Sequence, residues 1–132
     1  MLVVCQKAEQ DAVHRVVDQA RSVHLYGNKR TPTRHDGVSD FIEVEGGGYE
    51  PLALDPAEWA VQDDNGGSKA VYPVYTWRFS GAAGYVYGYY VADGTGKLLW
   101  AEMLDPGPFL AANPGDFFTL KLAFGLRRAT GK

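Results

Sequence analysis

The stretch from Gly84 to Glu102, GYVYGYYVADGTGKLLWAE, decides how this chain folds. It reads as a β-hairpin: an aromatic strand, an Asp-Gly-Thr-Gly turn and a second apolar strand. Tyr85, Tyr87, Tyr89 and Val91 share one parity, and Val86, Tyr90 and Ala92 share the other. A strand with one wet face alternates apolar with polar residues, and this one does not. The hairpin is therefore expected to be covered on both sides, by the chain's own elements or by another subunit.

The rest of the sequence fits a β-rich, turn-rich body. Sixteen Gly, seven Pro and eight Tyr in 132 residues favour strands and tight turns over helices. Upstream, Gln6 to Ala20 reads as a helix, because Cys5 just before it and Ala8, Ala12, Val13, Val16, Val17 and Ala20 recur at three- and four-residue steps as one apolar stripe. Ser22–Gly27 reads as a first strand, with Val23 and Leu25 opposite His24 and Tyr26. Asn28 to Gly37 is a polar loop, and Asp36 or Ser39 can cap a helical turn carrying Val38, Phe41 and Ile42. Tyr49–Leu54 reads as an edge strand because of Pro51, and Asp55-Pro56 as the start of one helical turn.

Asp63 to Gly67 is a turn signal, followed by a strand over Ala70–Ser80 with Val71, Pro73, Tyr75, Trp77 and Phe79 as its core row. Two Pro-Gly turns, Asp105–Pro108 and Asn113–Asp116, precede a closing strand over Phe117–Leu126. Its row Phe118, Leu120, Leu122 and Phe124 is expected to face the hairpin across a sandwich. These elements predict a mainly β fold: an antiparallel β-sandwich or barrel of six to seven strands with one N-terminal helix. Length predicts a single domain over 1–132, with an N-terminal segment 1–20, a β-rich body 21–126 and a flexible tail 127–132.

Composition and motifs argue against most chemistries. The net charge is −3, so no basic field is available to hold a nucleic acid backbone. The single cysteine, Cys5, makes no internal disulfide or zinc spacing, and its simplest role is small apolar packing. The first residues, MLVVCQKAEQDAV, lack the basic and long apolar regions of a secretory signal, and no window reaches the about 18 apolar residues of a membrane span. Gly94-Thr-Gly96-Lys97 suggests a phosphate loop, but Val91 and Leu98 stand where such a loop needs glycine and a hydroxyl residue.

His14, His24 and His35 fall on a helix, a strand and a loop, with no ligand spacing between them. Asp40, Glu43 and Glu45 read as a solvated acidic cluster. Ser22, Ser39, Ser68 and Ser80 lack a nucleophile elbow. No catalytic residue, metal ligand or cofactor site is expected, and the chain does not read as an enzyme. The residues best suited to a contact surface are Val13, Val16, Val17, Tyr85, Tyr87, Tyr89 and Trp100, small or aromatic side chains favoured at subunit contacts.

The order of short motifs carries a resemblance. Leu25-Tyr26-Gly27-Asn28 and Thr31-Pro32-Thr33 lead to Asp40-Phe41, Tyr49 and Trp59; then come Val86–Val91 with Asp93, Leu98–Glu102 and Asn113-Pro114-Gly115-Asp116. From about Leu25 to Leu126 the chain resembles a group of small virion structural proteins of tailed bacteriophages. It departs from them in Cys5 and in the Gly46–Gly48 break.

The resemblance implies a non-enzymatic component of the virion, made in the host cytoplasm. It would be a capsid decoration or cement protein that stabilises the shell. Its partners would be other virion proteins, the major capsid protein first, and copies of itself in a homo-oligomer such as a trimer, with no specific nucleic acid and no membrane. A tail, baseplate or adaptor component is the alternative within the particle. From another class, Trp59, Trp77 or Trp100 could form the platform of a carbohydrate-binding module.

Overall fold

A computed structural model describes residues 5–64 and 67–127. One α-helix, α1 (Gln6–Val17), lies near the N-terminus. The strands then follow in chain order: β1 (Ala20–Tyr26), β2 (Leu52–Ala53), β3 (Ala60–Asp64), β4 (Gly67–Val71), β5 (Tyr75–Arg78), β6 (Gly84–Val86), β7 (Gly88–Asp93), β8 (Leu98–Met103), β9 (Phe109–Ala111), β10 (Phe117–Leu120) and β11 (Ala123–Arg127). Single 3-10 turns occupy Val38–Asp40 and Pro56–Glu58. The fold is thus mainly β, with several antiparallel sheets and one N-terminal helix, consistent with a β-sandwich-like class. The strands among the described residues outnumber the six or seven expected, because three long segments break.

Contacts divide the chain into two compact units. The first takes in the N-terminal helix, Asp55–Tyr75 and the chain from Leu120 onward. Its sheet has the order β11-β4-β3, and β4 pairs antiparallel with both neighbours. Asp64 stands opposite Gly67 where β3 pairs with β4, and the centre of the expected turn, residues 65–66, lies outside the described residues. The helix lies on this sheet and buries Val13 and Val17 completely. It ends at Val17, earlier than its apolar spacing suggests, because Ala20 already belongs to β1. Cys5 precedes the helix and is exposed, so it does not pack. At the other end of the chain, Arg127 closes β11, and the remainder of the expected tail falls outside the described residues.

The expected strand Ala70–Ser80 breaks at Tyr72–Val74, where Pro73 offers no amide to a ladder. The break reverses which side chains are enclosed. Ser68, Ala70 and Tyr72 are buried before it, while Trp77 and Phe79 are buried after it. The expected core row therefore holds only for its second half: Val71 is half-buried, and Pro73 and Tyr75 are exposed. The closing strand breaks likewise at Lys121–Leu122, so Phe118 and Phe124 belong to different strands.

The second unit comprises Ala20–Leu54 and Thr76–Thr119. Its main sheet has the order β2-β1-β7-β8, antiparallel throughout. The short β2 is an edge, as Pro51 requires. β7 and β8 form the expected hairpin. Asp93 Oδ1 closes its turn, accepting from the Thr95 amide, the Thr95 hydroxyl and the Lys97 amide at 2.7–2.9 Å. Those amides are thereby committed to the turn. Two further ribbons, β5–β10 and β6–β9, complete the unit. Around them Phe109 lies near both Phe79 and Phe118, and Trp77 also lies near Phe118.

The aromatic strand does not run straight. It breaks at Tyr87, so that β6 pairs with β9 while β7 enters the main sheet. Gly88 marks the bend, and a side chain there would collide with the Glu102 carbonyl and the Tyr26 ring. Beyond it, Gly88 to Ala92 are all buried, so both faces of β7 are covered, whereas the expected cover fails on β6, where Tyr85 is half exposed. One face carries Tyr89 and Val91 beside Leu25 and Val23. The other carries Tyr90 beside His24, and there Phe41 completes a cluster with Tyr26 and Tyr90, flanked by Val38. The cover on that face thus comes from the loop after β1 within the same chain, whereas α1 spends its stripe on the sheet of its own unit.

Candidate interaction surface

The β6–β9 ribbon has one wet and one dry face, read directly from its register. Tyr85 stands opposite Leu110, and Val86 opposite Phe109. Val86 and Ala111 are completely buried, whereas Tyr85 and Leu110 are 50% and 45% exposed. Cross-strand partners project to the same side, so Tyr85 and Leu110 present one apolar pair to solvent. The Tyr85 ring lies 6.0 Å from that of Tyr87. Tyr87 in turn lines a groove of about 440 Å³ with Met103, Leu104 and Pro108, and with Lys29 and Asp105 also lining it. Leu110, Tyr85, Tyr87 and the groove beyond thus form a run of apolar surface on the second unit. Single exposed apolar residues are ordinary, whereas a connected run is the kind of surface that suits a contact.

A second groove, of about 340 Å³, lies between the loop Pro32–Asp36 and β8. Trp100, Leu98 and Arg34 line it. Its loop is rigidly tied: Arg30 pairs with Asp36 through two nitrogens, and the Thr33 amide and hydroxyl both donate to the same carboxyl. The Arg30 guanidinium, followed by the Thr33 bonds, holds that carboxyl well below the usual carboxylate range.

The seven residues singled out from the sequence separate accordingly. Tyr85 and Tyr87 meet on the apolar run. Tyr89 is only 3% exposed; its hydroxyl donates to Glu102 Oε1 at 2.8 Å, and burial together with that carboxylate pushes the phenol's pKa up. Trp100 lines the other groove. Val13 and Val17 have no exposed surface, which leaves the half-buried Val16 as the member of that row with area to offer a partner. Leu110 and Met103 were not singled out, because their segments read as a turn flank and a hairpin end. The signal for Leu110 is its register opposite Tyr85, a long-range pairing that local patterns do not contain.

Other candidates settle into structural places. Trp59 and Trp77 are 7% and 4% exposed. His14 and His35 are exposed. Asp40 accepts the Gly37 amide at 2.8 Å, so Gly37 stands at the head of the 3-10 turn in place of Asp36 or Ser39. Among the described residues no group of three His, Cys, Asp or Glu side chains is placed to hold a metal ion. Comparison with protein families, with curated proteins and with solved structures finds no match to this chain.

Proposed function

We propose that this chain is a structural protein of a bacteriophage virion, a capsid decoration or cement subunit that seats its apolar run on the major capsid protein. The observation that supports a contact function is the pairing of Tyr85 with Leu110, both about half exposed on a ribbon whose opposite face is buried. The virion setting comes from the motif resemblance. The mechanism is added contact: at about 25 cal/mol per Å², each ~1,000 Å² of apolar area removed from water contributes a gross ~25 kcal/mol before association costs. Such a term offsets the internal pressure of packaged DNA. Purified protein added to undecorated shells should bind saturably and raise their heat resistance, and the Tyr85→Ser/Leu110→Ser variant should do neither. Absence of binding by the unaltered protein overturns the reading, and cryo-electron microscopy that places it at the tail selects the tail or adaptor alternative.

A carbohydrate-binding reading survives at one tryptophan. Trp100 lines an open groove beside Arg34, while Trp59 and Trp77 are enclosed. Quenching of tryptophan fluorescence by an oligosaccharide, lost in Trp100→Ala, would favour it over the cement reading.

A further inference from the structure

Ser22 and His24 lie two residues apart on β1 and share a face of the sheet. Ser22 Oγ is 2.7 Å from His24 Nε2, and His24 Nδ1 is 2.7 Å from Glu43 Oε2. The Tyr49 hydroxyl donates to that same Glu43 oxygen at 2.7 Å. An ionised carboxylate only accepts, so the Nδ1 that faces Glu43 is the donor, and in the neutral imidazole this tautomer turns the Nε2 lone pair toward the serine hydroxyl. The two nitrogens are used in the order that activates a serine for acyl transfer: base toward the hydroxyl, acid behind the base.

The surroundings hold this order in place. The Tyr90 ring stacks on the imidazole with centroids 4.7 Å apart and planes 8° from parallel. Tyr49 is fixed from behind, since its oxygen accepts the Leu25 amide at 2.9 Å. Burial, and then Glu43, push the Tyr49 pKa well up, so the phenol remains a donor. The chain remains in reach of solvent: Ser22 is half-buried, and the side chains of His24 and Glu43 are 18% and 33% exposed. The cross-strand neighbours of Ser22 are Ala53 and Ala92, the smallest side chains that could flank it. The register of the β1–β7 ladder shifts between Ala20 and Ser22, and a shift of this kind re-aims side chains at a strand end.

We propose that Ser22 is an acyl-accepting nucleophile with His24 as its base, and that esters are the substrate class. Ser22 Oγ forms a bond to the ester carbonyl carbon and its proton passes to His24 Nε2. The carbon–alkoxide bond then breaks and the departing alkoxide takes that proton, leaving acyl-Ser22 and an alcohol. Water repeats the sequence, yielding the carboxylic acid and free Ser22. Glu43 and Tyr49 are positioning residues. The proposal is independent of the contact surface described above.

The test uses the full chain with a fluorophosphonate, whose P–F bond breaks as an O–P bond forms, and with p-nitrophenyl acetate. The expected result is one phosphonyl adduct per chain, mapped to Ser22, forming at least about 100-fold faster on native than on urea-unfolded protein, a comparison that needs no variant. Ser22→Ala should abolish the adduct. His24→Gln should slow it by about 100-fold, and Glu43→Gln by about 10-fold at unchanged half-saturating probe concentration, with near-native circular dichroism in each. Release of p-nitrophenol should follow the same order. An adduct at another residue, no native-state acceleration, or equal rates in a folded His24→Gln variant would overturn the proposal.

Discussion

The hydroxyl of Tyr49 fills a ladder position beside Leu25. β2 pairs with β1 only at Ser22 and Val23, and the segment around Glu43 joins β1 only at its far end, opposite Tyr26. Between them the Leu25 amide points at Tyr49, whose oxygen accepts it at 2.9 Å. A side chain thus does the work of a strand over one residue, and the backbone donor is satisfied. Tyr49→Phe removes the acceptor and leaves that amide bare. The expected cost is about 1–2 kcal/mol, read as a lower urea midpoint at unchanged slope, together with faster hydrogen exchange at Leu25.

Gly88 admits no side chain. A Cβ there would stand 2.3 Å from the Glu102 carbonyl oxygen and 2.6 Å from the Tyr26 ring. Either β8 or the Tyr26–Phe41–Tyr90 cluster must then yield. Gly88→Ala should cost about 3 kcal/mol. Gly96 has open space but a φ of +88°, so Gly96→Ala carries only the backbone penalty of about 1 kcal/mol. Equal midpoints for the two variants would contradict the close approach at Gly88.

Alkali should unfold the second unit in a defined window. Burial raises the phenols of Tyr26 and Tyr90 to about 12, the nearby carboxylates of Asp36 and Glu43 adding to it. Tyr49 and Tyr89 are raised by the same kind of cause. A raised phenol pKa means the folded chain keeps a proton that the unfolded chain releases near pH ~10. Stability from this source is therefore complete below pH ~10 and is lost as pH climbs toward about 12. Phenolate absorbance should show exposed tyrosines ionising first and the remainder only together with loss of circular dichroism.

Two neighbours on α1 should differ sharply. Val13 is fully buried against the three-stranded sheet, whereas Val16 is half-buried. Val13→Ala removes two methyl groups from a packed site and should cost about 2 kcal/mol. Val16→Ala should cost roughly half a kcal/mol or less. If Val16 instead lines a contact with a partner, its substitution should weaken association more than it lowers the unfolding midpoint.

Local patterns reached as far as local physics does. The helical stripe, the edge character imposed by Pro51, the Asp55 cap on Ala57 and the Asp93 turn are properties of a few consecutive residues, and each stands in the structure. The breaks at Tyr87, Pro73 and Lys121 depend on which distant strand takes the next residue, and alternation alone carries no such information. Pro73, inside the expected strand, is the local sign of one of these breaks. The pairing of Tyr85 with Leu110 and the approach of Glu43 to His24 are long-range as well. Ser-x-His on a strand was visible in the sequence, but the acid that completes the chain lies 19 positions on, in a loop that looked merely solvated.

The way the chain threads its two units orders their completion during synthesis. Everything the second unit needs precedes Leu120, whereas the sheet under α1 lacks β11 until the last of its strands has been made. The ribosome therefore releases the helix long before its full bed exists. Val13 and Val17 can meet β3 and β4 early, but that bed still lacks its third strand while the other unit closes around Tyr26 and Tyr90. A released chain truncated before Ala123 should thus hold one finished unit and a helix bed in which β4 is left as an open edge for foreign strands.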